Sequence, residues 1–316
     1  MALIDTLLLL ALPASGKSEL RRYLETRPEG ELAELNLKPS VQLDDYPYVH
    51  LMRRVSQELR KLGEDPVFFA ADDGEWLEPR DWGVLIQLVG EDYASLEAPP
   101  AVSSGGAASW LLDRFDRARH TVGAPGPFAS MDPGTRGALC AAIEAEAAEV
   151  VQLNPVDVAT HTVVVEFARG GPDGAEMPLP APQGYGYSLA QLPIEILESA
   201  VILYVWVDPA ESRRRNRERA RPGLEGDASI LHHGVPESVM RDEYGTDDIA
   251  WLIDTGERPG TVTVEAHGRR FHLPIVRFDN RVDRTSFLRD SIESWDPDAI
   301  AALHDILVRD LASLAD

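Results

Sequence analysis

The chain has 316 residues, of which 44% are hydrophobic and 26% charged, as in an ordinary globular protein with a hydrophobic core. Its formal charge of -23 at pH 7 excludes a protein whose whole surface binds nucleic acid and leaves room only for a local basic groove. A single cysteine, Cys140, excludes an internal disulfide and is typical of a reducing compartment.

The first sixty residues alternate between strand and helix patterns. Residues 6–10 form an unbroken apolar run that predicts a strand buried on both faces. Helical spacing follows from about Gly16, residues 41–43 predict a second strand that ends in two acids, and MRRVSQELRKLG predicts a helix that ends at Gly63.

The N-terminal apolar run is too short to predict a membrane span. LLLLALPAS resembles the core of a signal peptide, but Asp5 precedes it and no basic region does. No later run approaches the ~18 apolar residues that a transmembrane helix needs. We therefore expect a cytoplasmic protein without a membrane partner.

The remaining chain predicts more strands separated by helices. Residues 64–135 indicate helices and loops, and 137–151 a helix. HTVVVEFARGG and AVILYVWVD predict buried strands, SLAQLPIEILES and DPAESRRRNRERA predict helices, and TVTVEAHGRRFHLPIVRF predicts a hairpin that turns at His267 and Gly268. A last helix is predicted in DPDAIAALHDILVRDLASL. Strands that alternate with helices predict an α/β protein with a parallel sheet covered on both faces.

Residues 11–18, ALPASGKS, match the phosphate-binding pattern GxxxxGK[ST] at every defined position except the first. In that pattern the amides of a loop entering a helix surround the phosphates, the lysine reaches the β and γ oxygens, and the serine hydroxyl binds Mg²⁺. Alanine at position 11 costs little if the backbone there needs no positive φ. The predicted ligands of a triphosphate are Pro13, Ala14, Ser15, Gly16, Lys17 and Ser18.

This strand, loop and helix resemble the P-loop kinases, the superfamily of nucleoside and nucleotide kinases and of shikimate, gluconate and polynucleotide kinases. The resemblance covers about 1–60, 137–221 and 275–316, and only the loop is a specific motif. It implies one domain over 1–316, a three-layer doubly wound parallel sheet of the P-loop NTPase type with a largely helical insertion at 64–135, and a lid at 209–245. It also implies ATP or another nucleoside triphosphate, Mg²⁺, and acceptor specificity in the insertion.

Three predicted strands end in acids, which are Asp44–Asp45, Glu166 and Asp208. Ligands of doubly wound sheets bind at these carboxyl ends. The resemblance implies that Asp44 or Asp45 is the base or positions the acceptor hydroxyl, and the residues do not decide between them. It implies that Glu166 serves Mg²⁺ or its waters and lies near the substrate, while Asp208 begins a helix. Arg169 is then expected to face the acceptor or its phosphate.

The run RRRNRERAR carries Arg213, Arg217 and Arg221 on one helical face. The resemblance implies a lid whose arginines, Arg213 and Arg217 above all, stabilise charge on the transferring group. The alternatives are a solvated basic helix and, less favoured because no aromatics interleave, a nucleic-acid patch.

Two further groups are expected at the edges of this site. The loop after the last core strand is expected to contact adenine near Asn280, with Asp279 and Asp283 close by. His232–His233 is more typical of a surface turn than of a metal site.

The sequence therefore predicts an ATP- and Mg²⁺-dependent kinase acting on a small molecule, a nucleoside or a nucleotide. Its rivals are an NTPase without a phosphoryl acceptor, a nucleotide-binding regulatory or interaction module and, less favoured, a nucleic-acid 5′-end kinase. The sequence does not identify the phosphoryl acceptor, because residues 64–135 match no motif.

Overall fold

The computed structural model describes residues 3–100, 102, 105–151, 155–219 and 234–314. Within them the chain has six strands and twelve α-helices. The strands are β1 (Thr6–Leu10), β2 (Ser40–Asp44), β3 (Thr162–Phe167), β4 (Ala200–Trp206), β5 (Thr261–Ala266) and β6 (Arg269–Asp279). The helices are α1 (Lys17–Glu25), α2 (Glu29–Glu34), α3 (Tyr46–Lys61), α4 (Asp81–Ala94), α5 (Gly106–Thr121), α6 (Pro133–Val151), α7 (Gly184–Ala190), α8 (Ile194–Ser199), α9 (Pro209–Arg219), α10 (Glu237–Asp242), α11 (Ile249–Asp254) and α12 (Pro297–Ala312).

All six strands form one sheet in the order β2-β3-β1-β4-β6-β5. Every neighbouring pair is parallel except β5 and β6, which form the predicted hairpin. His267 and Gly268 at its turn both have positive φ, 51° and 68°, as a tight two-residue hairpin requires. The predicted α/β class with a mostly parallel sheet is confirmed.

Apolar side chains cover both faces of this sheet, because successive strand residues point to opposite sides. Leu8 and Ile202 belong to a cluster that includes residues of α4, α7, α8 and α11. Leu7 and Leu203 belong to a second cluster that includes residues of α1, α2 and α12. Helices therefore pack on both faces, an arrangement that is compatible with three layers.

A third apolar cluster lies among α3, α4, α5 and α6. The segment 64–135 contributes α4 and α5, together with Phe68, Trp76 and Trp82 from its loops and from the start of α4. Both α3 and α6, which flank the segment in sequence, pack against it. The helical unit is thus wider than the predicted insertion.

Two predicted helices differ in the structure. SLAQLPIEILES is broken into α7 and α8, and Pro193 stands at the break with the extended backbone angles φ -64° and ψ 155°. Proline lacks the N–H that would continue the first helix, and it disfavours helical φ and ψ in the residue before it. Helix α3 begins six residues before its prediction, at Tyr46, with Pro47 in its first turn.

Part of the predicted lid cannot be compared with the structure. Arg221, His232, His233 and the rest of 220–233 lie outside the described residues. None of the described helices combines the length and the apolar character needed to cross a membrane.

Candidate phosphate site and adjoining cavity

The loop at residues 11–16 joins the buried strand β1 to helix α1. Ala14 and Gly16 have positive φ, 57° and 102°, whereas Ala11 does not. Ala11 is fully buried, and its carbonyl oxygen accepts a hydrogen bond from the Tyr185 hydroxyl at 2.9 Å. The backbone at position 11 therefore has no need of glycine.

Gly16 is the position in this loop where a side chain does not fit. A Cβ there would collide with Thr285 Oγ1 and Asn280 Nδ2. Since Gly16 also has a φ that L-residues rarely adopt, glycine is required both by the backbone and by the packing.

Lys17 and Ser18 converge on one carboxylate oxygen at the edge of the sheet. Lys17 Nζ lies 2.8 Å from Glu166 Oε1, and Ser18 Oγ donates to the same atom at 3.0 Å. Arg21 Nη1 lies 3.1 Å from the other oxygen, Oε2, which is buried and accepts no hydrogen bond from the residues that the structure describes. Burial raises the pKa of Glu166, but the charges of Lys17 and Arg21 outweigh it and hold the pKa below its usual value. Glu166 is therefore an ionised, buried carboxylate beside the loop lysine.

Asp44 and Asp45 have different partners. Asp44 pairs in register with Glu166 on the neighbouring strand, and its Oδ2 accepts a hydrogen bond from Arg21 at 2.7 Å. Burial and the charge of Glu166 raise the pKa of Asp44, while Arg21 opposes this. The Asp45 carboxylate forms a 2.6 Å ion pair with Arg169, whose side chain is 2% exposed.

Arg169 was expected to face the acceptor, but the structure holds it among protein partners. Besides Asp45, it donates to Ser188 Oγ at 3.0 Å and to the carbonyl of Ala168 at 2.6 Å. Its guanidinium carbon lies 4.7 Å from the centre of the Trp82 ring. Arg169 is not among the residues that line the cavity described below, so its visible role is to support Asp45.

Helix α9 packs on the loop at residues 11–16 through a face that the sequence did not single out. Ser212 donates to Pro13 O at 2.7 Å, and Arg215 donates to Asn280 O at 2.7 Å. Arg219 donates to both oxygens of the fully buried Glu19, at 2.9 and 3.1 Å. Ser212, Arg215 and Arg219 recur at helical spacing and share one face.

The two arginines predicted as catalytic point elsewhere. Arg213 lies 3.6 Å from Asp173, and Arg217 forms an exposed ion pair with Glu237 at 3.2 Å. Neither lines the cavity, whereas Arg219 does. Because Ser212 and Arg215 pack against Pro13 and Asn280, Arg213 and Arg217 face away from the cavity.

Asn280, expected near adenine, and Asp208, expected to begin a helix, both make structural contacts. Asn280 is fully buried, and its Nδ2 donates to Ser15 O at 2.7 Å and to Thr285 Oγ1 at 3.0 Å. Its side chain therefore supports the phosphate loop from behind. Asp208 precedes α9, and its carbonyl accepts the Ser212 N–H at 2.9 Å. Asp279 pairs with Arg281 at 2.7 Å, and Asp283 accepts from the amide of Ser286 at 3.0 Å.

A cavity of about 340 Å³ opens directly from the loop. Lys17, Ser18, Glu166 and Arg219 line one end of it. The rest of its wall comes from Asp44, Asp45, Tyr46, His50 and Arg53, from Asp72, Trp76 and Trp82 of the segment 64–135, and from Val239, Glu243 and Tyr244. A more open cavity of about 610 Å³ lies beside it and shares Asp44, Tyr46 and His50. Asp44 can thus be approached from two sides.

The described residues contain no cluster of three or more histidine, cysteine or acidic side chains arranged to hold a metal ion. Magnesium does not require one, since it is usually bound through one or two carboxylates, several waters and the phosphates of the substrate. Ser18 and Glu166 together provide a hydroxyl and a carboxylate 3.0 Å apart.

Sequence reasoning missed three groups at this site. Arg21 lies one helical turn after Lys17, and that spacing could have revealed it. Arg219 and its partner Glu19 could not be chosen from a run in which arginines occupy every face. The aromatic wall of Trp76, Trp82 and Tyr244 comes from separate segments that only the folded chain brings together.

A scan against models of known protein families gave no match to this chain, and a search of curated proteins gave no significant match. Function is therefore inferred from the residues of this chain.

Proposed function

We propose that the protein is an ATP- and Mg²⁺-dependent phosphotransferase that resembles the P-loop kinases. One observation carries the proposal. Lys17 and Ser18 of a GKS loop meet on the buried carboxylate of Glu166, at the mouth of a cavity that extends past Asp44. This set provides a cation, a hydroxyl, a carboxylate and a second acid, which are the groups that phosphoryl transfer uses.

The topology supports a three-layer, doubly wound fold of the P-loop NTPase type. From the central strand β1 the chain goes out to β2, returns to β3 beside β1 and then crosses to β4 on the other side. The order reverses around β1, and ligands of such sheets bind at the carboxyl ends of the strands at this point. The phosphate loop follows β1, and Asp44 and Glu166 belong to the carboxyl ends of β2 and β3.

The residues fit a magnesium–triphosphate ligand. When the triphosphate binds, Lys17 would leave Glu166 and pair with the β- and γ-phosphate oxygens. The backbone amides of residues 14–18, at the start of α1, would donate hydrogen bonds to the same phosphates. Ser18 and Glu166 hold the metal or its waters, and Glu166 Oε2, buried without a hydrogen bond, is free to accept from such a water. When bound, the ion neutralises charge that develops on the phosphates.

Asp44 is the proposed base and Arg219 the proposed arginine of the lid. The acceptor oxygen forms a bond to the γ-phosphorus while the bond from that phosphorus to the bridging oxygen breaks, and ADP leaves with the bonding electrons. Asp44 accepts the hydroxyl proton. Arg219 lines the same cavity, and its Nη2 is bound to Glu19. Its Nε has no hydrogen-bond partner among the described residues and is the donor available to stabilise the negative charge that develops on the transferring group.

Phosphoryl transfer is favoured over simple hydrolysis by the part of the cavity beyond Asp44. Trp76, Trp82 and Tyr244 line it, and an apolar recess of this kind offers a binding site for an acceptor other than water. An NTPase that transfers the phosphoryl group to water would not need this binding site.

Consumption of γ-labelled ATP distinguishes the alternatives. The protein is incubated with ATP, Mg²⁺ and pools of amino alcohols, sugars, nucleosides, nucleotides or oligonucleotide 5′ ends. A kinase consumes ATP faster with one pool and loses this activity in Lys17→Ala but not in Lys61→Ala, where an exposed lysine is removed. Hydrolysis that no pool stimulates would identify an NTPase, and affinity without turnover a binding module.

A further inference from the structure

Three aromatic rings that contact one another line the cavity. The ring centres of Trp76 and Trp82 are 5.3 Å apart, and those of Trp82 and Tyr244 are 5.6 Å apart, both in edge-on arrangements. All three residues line the cavity. Ring faces attract organic cations, and groups of aromatic rings are the usual recognition site for substituted ammonium ions.

A buried carboxylate lies in the same wall. Glu243 is 9% exposed and lines the cavity, and its Oε1 accepts a hydrogen bond from the backbone N–H of Trp76 at 3.2 Å. Burial raises the pKa of Glu243 to about 7, and the Trp76 N–H and the charge of Arg53 only partly offset it. A carboxylate in this position gains most from a ligand that carries a positive charge.

Arg53 is the one cation that lines this end of the cavity among the described residues, and it is already engaged. Its Nη1 donates to the carbonyl oxygens of Asp72 and Gly74, at 2.8 and 3.2 Å. Its guanidinium carbon lies 3.9 Å from the centre of the Phe69 ring. The other two lining cations, Lys17 and Arg219, are at the phosphate-loop end.

Glu243 and Asp72 both line the cavity near Arg53. Asp72 is paired with Arg60, so Glu243 is the carboxylate there that a ligand can use. Phosphorylated ligands are usually bound by free arginines that reach two oxygens at once. The acidic wall and the engaged Arg53 therefore disfavour an acceptor that already carries a phosphate.

We propose that the phosphoryl acceptor is an aromatic amino alcohol, whose ring packs against Trp76, Trp82 and Tyr244 and whose protonated amine pairs with Glu243. The hydroxyl is then directed toward Asp44. Its use as a phosphoryl acceptor rests on the proposed function, whereas the recognition of the ring and the amine does not.

Calorimetric titration of the nucleotide-free protein with three matched compounds tests the charge preference. Phenylethanolamine, phenylethanediol and mandelate share a ring and a hydroxyl but end in an ammonium, a hydroxyl and a carboxylate. The amine is expected to bind at least about tenfold more tightly than the diol, the size of one charge-assisted contact. Mandelate is expected to bind most weakly.

Two variants test the assignment to Glu243. Glu243→Gln keeps the acceptor for the Trp76 N–H and should reduce the affinity for the amine to that for the diol. Glu293→Gln is the matched control, because Glu293 is exposed and does not line the cavity, and it should leave the preference intact. Equal affinity for amine and diol, tighter binding of mandelate, or no heat with any compound would overturn the proposal.

Binding of Mg·ATP to the same preparations separates the two proposals. An amine preference in a protein that does not bind Mg·ATP would leave the cation site standing and remove the kinase. Binding of Mg·ATP without an amine preference would support the kinase and remove the cation site.

Discussion

The adjacent aspartates Asp44 and Asp45 at the end of β2 have different partners and different access to the cavities. Asp45 is committed to Arg169, whose guanidinium has no route to solvent. Asp44 shares Arg21 with Glu166 and lines both cavities. The sequence could not distinguish them, because two consecutive acids at a strand end have the same pattern whichever one the chemistry uses.

Substitution of each aspartate by asparagine should therefore have opposite consequences. Asp45→Asn leaves the buried Arg169 unpaired and should lower the free energy of unfolding by about 3–5 kcal/mol. Asp44→Asn should destabilise less, since Arg21 keeps Glu166 at 3.1 Å, but it should slow phosphoryl transfer by about 10²–10⁴-fold. Denaturant unfolding and the transfer rate of both variants check this, and a slow, stable Asp45→Asn would reverse the assignment.

Glu243 predicts a pH-dependent stability that does not depend on any ligand. Its pKa in the folded protein, about 7, lies above the usual value of 4.5, so its contribution to stability is complete below about pH 4.5 and is lost as the pH rises through about 7. Glu243→Gln cannot ionise. At pH 8 the variant should gain up to about 3 kcal/mol of unfolding free energy relative to wild type.

Urea unfolding of both proteins from pH 5 to pH 8 measures that difference. It should grow as the pH rises to about 7, and Glu293→Gln should show no such trend. A difference that stays constant across this range would mean that Glu243 titrates normally in the folded protein.

Among the elements, helix α9 shows how packing decides which residues of a repetitive sequence reach a site. Ser212 and Arg215 fix the helix on the loop and on Asn280, and this brings Arg219 to the end of the cavity. The run of arginines has no periodicity that could indicate this face. Its position after a core strand was predictable, and its orientation was not.

Arg219→Ala should lower the rate of phosphoryl transfer by about 10²–10³-fold, because it removes a positive charge from the transferring group. Arg214→Ala is the control on the same helix, where an exposed arginine pairs only with Glu211 and Glu218. The two variants are compared by their steady-state rates of phosphoryl transfer at saturating ATP. Equal rates for the two variants would remove Arg219 from the mechanism.

The elements that sequence predicted best are those with strong local signals. β1, the hairpin at His267 and Gly268, and the strand containing Glu166 follow from unbroken apolar runs or from turn residues. The break at Pro193 was missed, although proline signals it, because the apolar spacing continues across it. The partners of Arg169 and Asn280 could not be predicted, since they depend on residues distant in the chain.

For the whole molecule, the cavity is assembled from segments far apart in sequence. The phosphate loop, the residues after β2, the segment 64–135 and residues 234–244 each provide part of its wall. A local motif could single out the residues at the loop end of the cavity, because strand, loop and helix are contiguous. The aromatic end has no local motif, which is why the acceptor could not be read from the sequence.

The chain has only three lysines, Lys17, Lys38 and Lys61. The exposed Lys61 can therefore serve as the control for the predicted role of Lys17 in binding ATP. Calorimetric titration of Mg·ATP should give saturable binding to the wild type and to Lys61→Ala, with the affinity lowered at least about tenfold in Lys17→Ala and reduced when Mg²⁺ is chelated. Absence of Mg·ATP binding to the wild-type protein, or equal affinity in Lys17→Ala, would contradict the account.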